Sequence, residues 1–100
     1  MQTESIVKYE CEQQLKLKGP PIIIVAAVRE AEAVANACAE RNIKVSGICD
    51  SEKRKSEKPF SGLKVYHTPD LPKNFPQARF IIASQHVQEC ADQLIDLGYN

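Results

Sequence analysis

A short apolar run, Ile22 to Ala26, leads directly into a sequence that favours a helix from Glu30 onwards. A strand that is apolar on both faces suits the centre of a parallel sheet covered by helices on each side. A strand that turns tightly into a helix is where dinucleotide-binding folds place their glycines. The G-x-G-x-x-G fingerprint laid on this turn falls on Ala26, Val28 and Ala31, so all three glycines are replaced. The run therefore predicts an α/β fold whose phosphate-binding turn is altered.

Length and charge set the outer limits of the function. One hundred residues with a formal net charge of zero suit one domain with its own core. The balanced charge argues against nucleic-acid binding, and no apolar run approaches the roughly 20 residues that span a bilayer. Because the residues after Met1 lack the basic and apolar pattern of a signal peptide, we expect a cytoplasmic protein without membrane attachment.

The remaining patterns predict an alternation of strands and helices. A helical lead-in, residues 1–19, precedes a domain over residues 20–100, and Gly19-Pro20-Pro21 ends the lead-in helix. The predicted elements are a strand Ile22–Ala26, a helix Glu30–Arg41, a strand Lys44–Cys49, an edge strand Gly62–Tyr66, a strand Arg79–Ser84 and a helix Val87–Leu97. Right-handed crossovers then give a three-layer α/β fold, a parallel sheet in the order 3-2-1-4 that lacks a fifth strand.

Several of these segments carry a family resemblance. Gly47-Ile48-Cys49-Asp50, Gly62 to Tyr66, Phe80 to Ser84 and Leu97-Gly98-Tyr99 follow one another as in small Rossmann-like domains. The chain resembles the N-terminal domains of sialic-acid and bacillosamine-type sugar acetyltransferases, and its layout is similar to that of CoA-binding Rossmann domains. The resemblance implies a domain that contacts a nucleotide or nucleotide-sugar beside the catalytic module of a larger sugar-processing protein.

The altered turn predicts how such a ligand would be held. Ala26 fits if its φ stays negative, and Ala31 still allows a helix to pack closely on the sheet. Val28 places a branched side chain where a pyrophosphate would meet the backbone. The N-terminus of the following helix keeps its free N–H groups, and Arg29 lies beside them. We therefore expect looser binding of a small anionic ligand than a dinucleotide fold provides.

The candidate ligand-binding residues lie where strands end, because open parallel sheets bind ligands outside the carboxyl ends of their strands. Asp50 comes a little over 20 residues after the turn, the spacing of the acid that binds ribose hydroxyls. The predicted set is Ala26, Ala27, Val28, Arg29, Glu30, Asp50, Ser84, Gln85 and His86. NAD(P), CoA or a nucleotide-sugar are the candidate cofactors, and no metal site or catalytic residue is predicted.

Other reactive residue types favour structural roles. Ser84 is predicted to cap the last helix, with Gln85 and His86 in its first turn. The four widely spaced cysteines are expected to be reduced core residues, and Cys49 is the one to test for reactivity. Residues 51–61 are interpreted as a mobile loop that carries the solvated run Lys53-Arg54-Lys55, and His67 as an exposed turn residue.

Three functional readings follow from the sequence. The first is a non-catalytic, ligand-binding accessory domain. The second is a scaffold without a ligand, used for homodimerisation or for docking a partner or a fused catalytic domain through an open sheet edge. The third is a small enzyme that uses His86 with Asp50 or Cys49. A ligand-induced gain in stability would favour the first function, and a concentration-dependent dimer would favour the second. The third would require a turnover that is lost on His86→Ala.

Overall fold

The structure is a computed structural model that describes residues 15–99. Its strands are β1 (Ile22–Val25), β2 (Gly47–Asp50), β3 (Val65–His67) and β4 (Arg79–Ile82), and its helices are α1 (Arg29–Glu40), α2 (Leu71–Asn74) and α3 (Val87–Asp96). The sheet runs β3-β2-β1-β4, and every neighbouring pair is parallel. The predicted α/β fold and its 3-2-1-4 order are thus confirmed.

Strand β1 lies at the centre because its four residues are buried on both faces. Side chains alternate along a strand, so successive residues pack on opposite faces of the sheet. On one face, Ile24 packs with Ile48 and with residues at the start of α1. On the other, Ile23 and Val25 pack with Leu94 of α3. The sheet is therefore the middle of three layers, and its carboxyl ends open between α1 and α3.

Helix α1 begins close against the sheet because its first buried residue is small. Ala31, at the third fingerprint position, is fully buried against Ile24 and Ile48, so alanine does permit the close helix–sheet packing expected there. Glu30 and Glu32 lie in the first turn, where they suit the positive end of the helix dipole. The chain leaves the helix through Asn42, whose φ is 58°.

The two outer strands differ in how well they are covered. Strand β3 is one edge, as predicted, and β4 is the other, with all four of its residues only half-buried. The helical spacing of the apolar residues in the last helix predicts that Val87 and Ile95 are buried, but this prediction is wrong, since their exposed fractions are 53% and 59%. Helix α3 buries Leu94 instead, and no further strand lies beyond β4 within residues 15–99 to cover its outer side.

Residues 51–61 were expected to lack regular structure, but they contain a 3₁₀ helix, Lys53–Glu57, and an isolated bridge between Phe60 and Leu63. A second 3₁₀ helix, Thr68–Asp70, follows β3. The lead-in helix falls mainly on residues 1–14, outside the described residues. No helix within residues 15–99 has the length and apolar character needed to cross a membrane.

Candidate functional site

A cavity of about 370 Å³ opens at the carboxyl edge of the sheet, which we call the carboxyl-edge cavity. It is lined by Val25, Ala26, Val28, Cys49, Asp50, Ser51, Glu52, Lys55, Thr68, Ser84, His86, Glu89, Cys90 and Gln93. The strand order reverses between β1 and β4 at this point, where open α/β sheets bind their ligands. Five of the predicted site residues line it: Ala26, Val28, Asp50, Ser84 and His86. The others lie outside the lining: Ala27, Arg29, Glu30 and Gln85.

The turn after β1 has a conformation that differs from the one expected. Ala26 has a φ of 86°, in the left-handed region that glycine tolerates best, so the condition of negative φ under which alanine would fit is not met. Val28 has extended backbone with φ −123° and ψ 172°, which is unstrained for a branched residue. The Ala26 nitrogen donates a hydrogen bond of 2.7 Å to the Cys49 carbonyl, which holds the turn against β2.

Asp50 binds the backbone of its own chain. The Ala27 nitrogen donates to its Oδ2 atom at 2.8 Å, and the Glu52 nitrogen donates to its Oδ1 atom at 2.8 Å. Only 8% of the residue is exposed. A buried carboxylate needs such donors, because an unpaired charge is costly to remove from water. The acid predicted to bind ribose is therefore engaged at both oxygens in closing the turn after β1.

Lys55 completes this arrangement. Its Nζ atom lies 3.6 Å from Oδ2 of Asp50 and donates to the Ala27 carbonyl at 3.2 Å. Glu52 lies 3.9 Å from the same ammonium group. The interpretation of the basic run as a solvated face thus holds for Lys53 and Arg54, which are exposed, but is wrong for Lys55. We refer to Ala27, Asp50, Glu52 and Lys55 together as the Asp50 clamp.

The start of α3 forms the opposite wall of the cavity. The Ser84 hydroxyl accepts a hydrogen bond of 3.0 Å from the His86 nitrogen, and the helix begins only at Val87. His86 is therefore the N-cap residue, and the prediction of Ser84 as the cap is wrong by two positions. The His86 ring lies 3.8 Å from the Glu89 carboxylate, and both side chains are largely exposed. They are available to a ligand but sit at the mouth of the cavity.

Cys38 and Cys49 behave as core residues rather than nucleophiles. Cys49 is fully buried, and burial raises the pKa of its thiol from 9.0 to about 11. A hydrogen bond with the Thr68 side chain works against that rise in pKa and is the smaller effect. Burial also raises the pKa of Cys38. Since the thiolate is the reactive form, the structure argues against the reactivity for which Cys49 was singled out.

His67 joins the loop after β2 to the segment after β3. Its Nε2 atom lies 3.1 Å from the Ser51 carbonyl, and its Nδ1 atom lies 3.9 Å from the Asp70 carboxylate. The side chain is 24% exposed, so the expectation of an exposed turn residue is wrong. The contacts explain why, because the ring is held between two loops that meet at the carboxyl edge.

Charge in the carboxyl-edge cavity is predominantly negative. Three carboxylates line it, those of Asp50, Glu52 and Glu89, against the single ammonium group of Lys55. Carboxylates accept hydrogen bonds from hydroxyl groups, whereas they repel phosphate. Sequence reasoning missed Glu52, Lys55, Glu89 and Gln93. The sequence does contain one indication of the Asp50 clamp. Glu52 and Lys55 follow Asp50 at the end of β2 and lie three residues apart, a spacing that brings their side chains together in a helical turn.

Comparison of the chain with family models, curated proteins and solved structures found no significant match. Within the described part of the chain, no three His, Cys, Asp or Glu side chains come together as metal ligands would.

Proposed function

We propose that this chain is a non-catalytic, Rossmann-like binding domain that takes the sugar or nucleoside part of a nucleotide or nucleotide-sugar. The observation that carries the proposal is the polar carboxyl-edge cavity at the reversal of strand order. Its exposed carboxylates suit ligand hydroxyls, with Glu52 on one wall and Glu89 on the other. In this role the domain serves as an accessory part of a larger sugar-processing protein.

The Asp50 clamp argues for this orientation of the ligand. The Ala27 N–H group, which a glycine-rich turn would offer to a pyrophosphate, already donates to Asp50. The Val28 side chain lines the cavity in front of the turn. A diphosphate would meet a branched side chain and a buried carboxylate there, so the phosphate groups of a nucleotide-sugar would point away from the turn.

The contacts of Cys49, Asp50 and His86 argue against the hypothesis that the chain is a small enzyme. Cys49 is buried with a raised pKa, and Asp50 is committed to backbone donors. His86 pairs with Glu89 at the protein surface. Neither pairing proposed for catalysis, His86 with Asp50 or His86 with Cys49, leaves a ready acid, base or nucleophile beside a reacting atom.

An NMR titration of the full chain tests the proposal. The ligands are uridine, a UDP-sugar, NAD⁺, CoA and inorganic phosphate, each taken to millimolar concentration. We expect uridine or the UDP-sugar to shift the amide resonances of Glu52, His86 and Glu89, while phosphate alone does not. The double variant Glu52→Gln/Glu89→Gln should weaken that binding, and Glu32→Gln on the outer face of α1 should not. Absence of shifts at these residues with every ligand would contradict the proposal.

A second candidate function is partner docking, which the open edge of β4 favours. The backbone nitrogen of Arg79 donates to the Pro21 carbonyl just before β1, and that of Ala83 donates to the Val25 carbonyl at its end. Backbone groups of a parallel strand alternate in direction, so those of Phe80 and Ile82 face the open edge. The exposed Val87 and Ile95 lie on the adjacent helix at helical spacing. An added strand would find both backbone partners and apolar contacts there.

Sedimentation at increasing protein concentration distinguishes this candidate. A scaffold that dimerises through β4 should show a concentration-dependent dimer that Ile95→Lys weakens. The matched control is Ala39→Lys, since Ala39 is exposed on α1, which packs on the opposite face of the sheet from α3. A monomer at all concentrations, or equal loss with both variants, would count against homodimerisation through this edge.

A further inference from the structure

A second cavity lies at the opposite, amino edge of the sheet and plays no part in the proposed function. It has a volume of about 340 Å³ and is formed by the segment that leads into β1, the loop after α1 and the first residue of β4. The residues that line it are Leu15, Lys16, Leu17, Lys18, Gly19, Pro20, Pro21, Ile22, Asn42, Lys44, Ser46 and Arg79. We call it the amino-edge cavity.

The amino-edge cavity carries a concentrated positive charge. Lys16, Lys18, Lys44 and Arg79 line it, and none of the described lining residues is acidic. The whole chain has a net charge of zero, so these cations are not part of a general basic excess. The carboxyl end of α1, which leads to Asn42, contributes only about half a negative charge. The three exposed lysines alone outweigh it, and their ammonium groups attract anions.

Arg79 gives this cavity a fixed floor. Its Nε atom donates to the Pro20 carbonyl at 2.8 Å, and its guanidinium carbon lies 3.4 Å from where a side chain on Gly19 would begin. The half-buried Arg79 therefore ties the lead-in segment to β4. The three lysines are exposed around it and can turn their ammonium groups towards a ligand. The Ser46 hydroxyl and the Asn42 amide add uncharged donors to the lining.

We propose that the amino-edge cavity binds the phosphoryl group of a small phosphorylated molecule. Its volume lies at the lower end of the roughly 300–1,000 Å³ usual for small-molecule sites. Cations gathered around one concavity suit a compact, multiply charged group, because several lysines reach the same oxygens. A nucleic acid would instead need basic residues along an extended stripe. The two ends of the sheet are thus specialised, with a carboxylate-lined cavity for hydroxyls and a basic one for phosphate.

Titration of the full chain with inorganic diphosphate at low ionic strength tests this site. We expect the amide resonances of Gly19, Lys44 and Ser46 to shift together and the affinity to fall as salt is added. Lys44→Gln should weaken binding by about fivefold, and Lys16→Gln/Lys18→Gln by more, since each removes charge close to the anion. The matched control is Lys73→Gln, an exposed lysine on α2 that should leave the affinity unchanged.

Further measurements distinguish phosphate binding at the amino-edge cavity from binding at the carboxyl edge, from general ion attraction and from nucleic-acid binding. The variant Glu52→Gln/Glu89→Gln should leave diphosphate binding intact, so failure of the carboxyl-edge site would not be mistaken for failure of this one. Equal loss of affinity with Lys73→Gln and Lys44→Gln would overturn the proposal, as it would reveal general ion attraction. A short single-stranded oligonucleotide that bound more tightly than diphosphate, and was weakened by Lys44→Gln, would also overturn it by assigning the surface to nucleic acid.

Discussion

The backbone nitrogen of Ala27 and the Oδ2 atom of Asp50 lie 2.8 Å apart and join the ends of two neighbouring strands across 23 residues of sequence. In dinucleotide-binding folds an acid at this position binds the ribose hydroxyls and the turn binds the pyrophosphate. Here the Asp50 carboxylate accepts a hydrogen bond from the turn itself. A single internal hydrogen bond thereby occupies one donor and one acceptor at the carboxyl edge, which favours the hydroxyl recognition that we propose over phosphate binding.

Replacement of Asp50 by asparagine should measure the strength of the clamp. The amide can accept from one backbone N–H but presents its own donor to the other, and Lys55 loses its buried partner. We expect Asp50→Asn to lower the free energy of unfolding by about 2 kcal/mol, measured by urea denaturation, because hydrogen bonds to charged groups contribute about 1.5–3 kcal/mol. Glu52→Gln is the control and should cost less than about 0.5 kcal/mol, since its ion pairs are exposed. Equal effects of the two substitutions would rule out a special role for Asp50.

The left-handed conformation of Ala26 predicts a stabilising substitution. A Cβ atom in this region costs about 1–2 kcal/mol, and glycine removes that strain while adding about 0.5–1 kcal/mol of backbone entropy cost. Ala26→Gly should therefore raise the free energy of unfolding by about 0.5–1 kcal/mol. Ala27→Gly, at the adjacent buried position, should lower it by about 1 kcal/mol. A loss of stability with Ala26→Gly in the same thermal or urea measurement would refute the strain argument.

The fold could be predicted from the sequence because the patterns that indicate its strands and helices are local and strong. The apolar run of β1, the helical spacing of Ala31 and Cys38 and the right-handed crossover rule together predict the 3-2-1-4 sheet that is observed. The spacing of Asp50 after the turn also predicts its place at the carboxyl edge, where it lies beside the Ala27 nitrogen. These features depend on periodicity and on topology, both of which a sequence displays.

The details of the site were not accessible, since they depend on contacts across the fold. The pairing of Lys55 with the Ala27 carbonyl spans 28 residues and follows from the path of the 3₁₀ helix. The positive φ of Ala26 is a conformation that nothing in the turn sequence reveals, since alanine rarely adopts it. Burial at Ile95 was overestimated because amphipathic spacing does not show how much of a helix the sheet covers.

Gly47 has a packing role that a single methyl group should reveal. A Cβ atom there would lie 2.8 Å from the Tyr66 ring and 3.2 Å from the Lys64 carbonyl oxygen. The Tyr66 ring cannot move freely because it packs edge-on against the Phe75 ring, with 5.0 Å between the two ring centroids. We expect Gly47→Ala to lower the free energy of unfolding by about 1–3 kcal/mol through overpacking.

The control for Gly47 is Gly19→Ala. Its new Cβ atom would approach the Arg79 guanidinium group no closer than 3.4 Å, an ordinary contact, so stability should change by less than about 0.5 kcal/mol. If Gly47→Ala were as well tolerated as Gly19→Ala, the strand β3 would have to be looser around Tyr66 than the contacts imply.

Cys49 predicts a dependence of stability on alkaline pH. Burial raises the pKa of its thiol from 9.0 to about 11 in the folded chain. Below pH 9 both the folded and unfolded states hold the proton, whereas between pH 9 and 11 only the folded state does. The unfolded state then binds fewer protons, so stability falls as pH rises, by up to about 1.4 kcal/mol per pH unit from this group.

Cys49→Ala isolates that contribution. At pH 7 the variant should be less stable than the wild-type chain by about 1 kcal/mol, because a buried sulfur leaves a small cavity. Urea denaturation of both chains from pH 7 to pH 11 should show this difference shrink and then reverse above pH 9, as only the wild-type chain bears the cost of holding a neutral thiol. A difference that stayed constant to pH 11 would mean that Cys49 ionises equally easily in both states and would contradict the prediction.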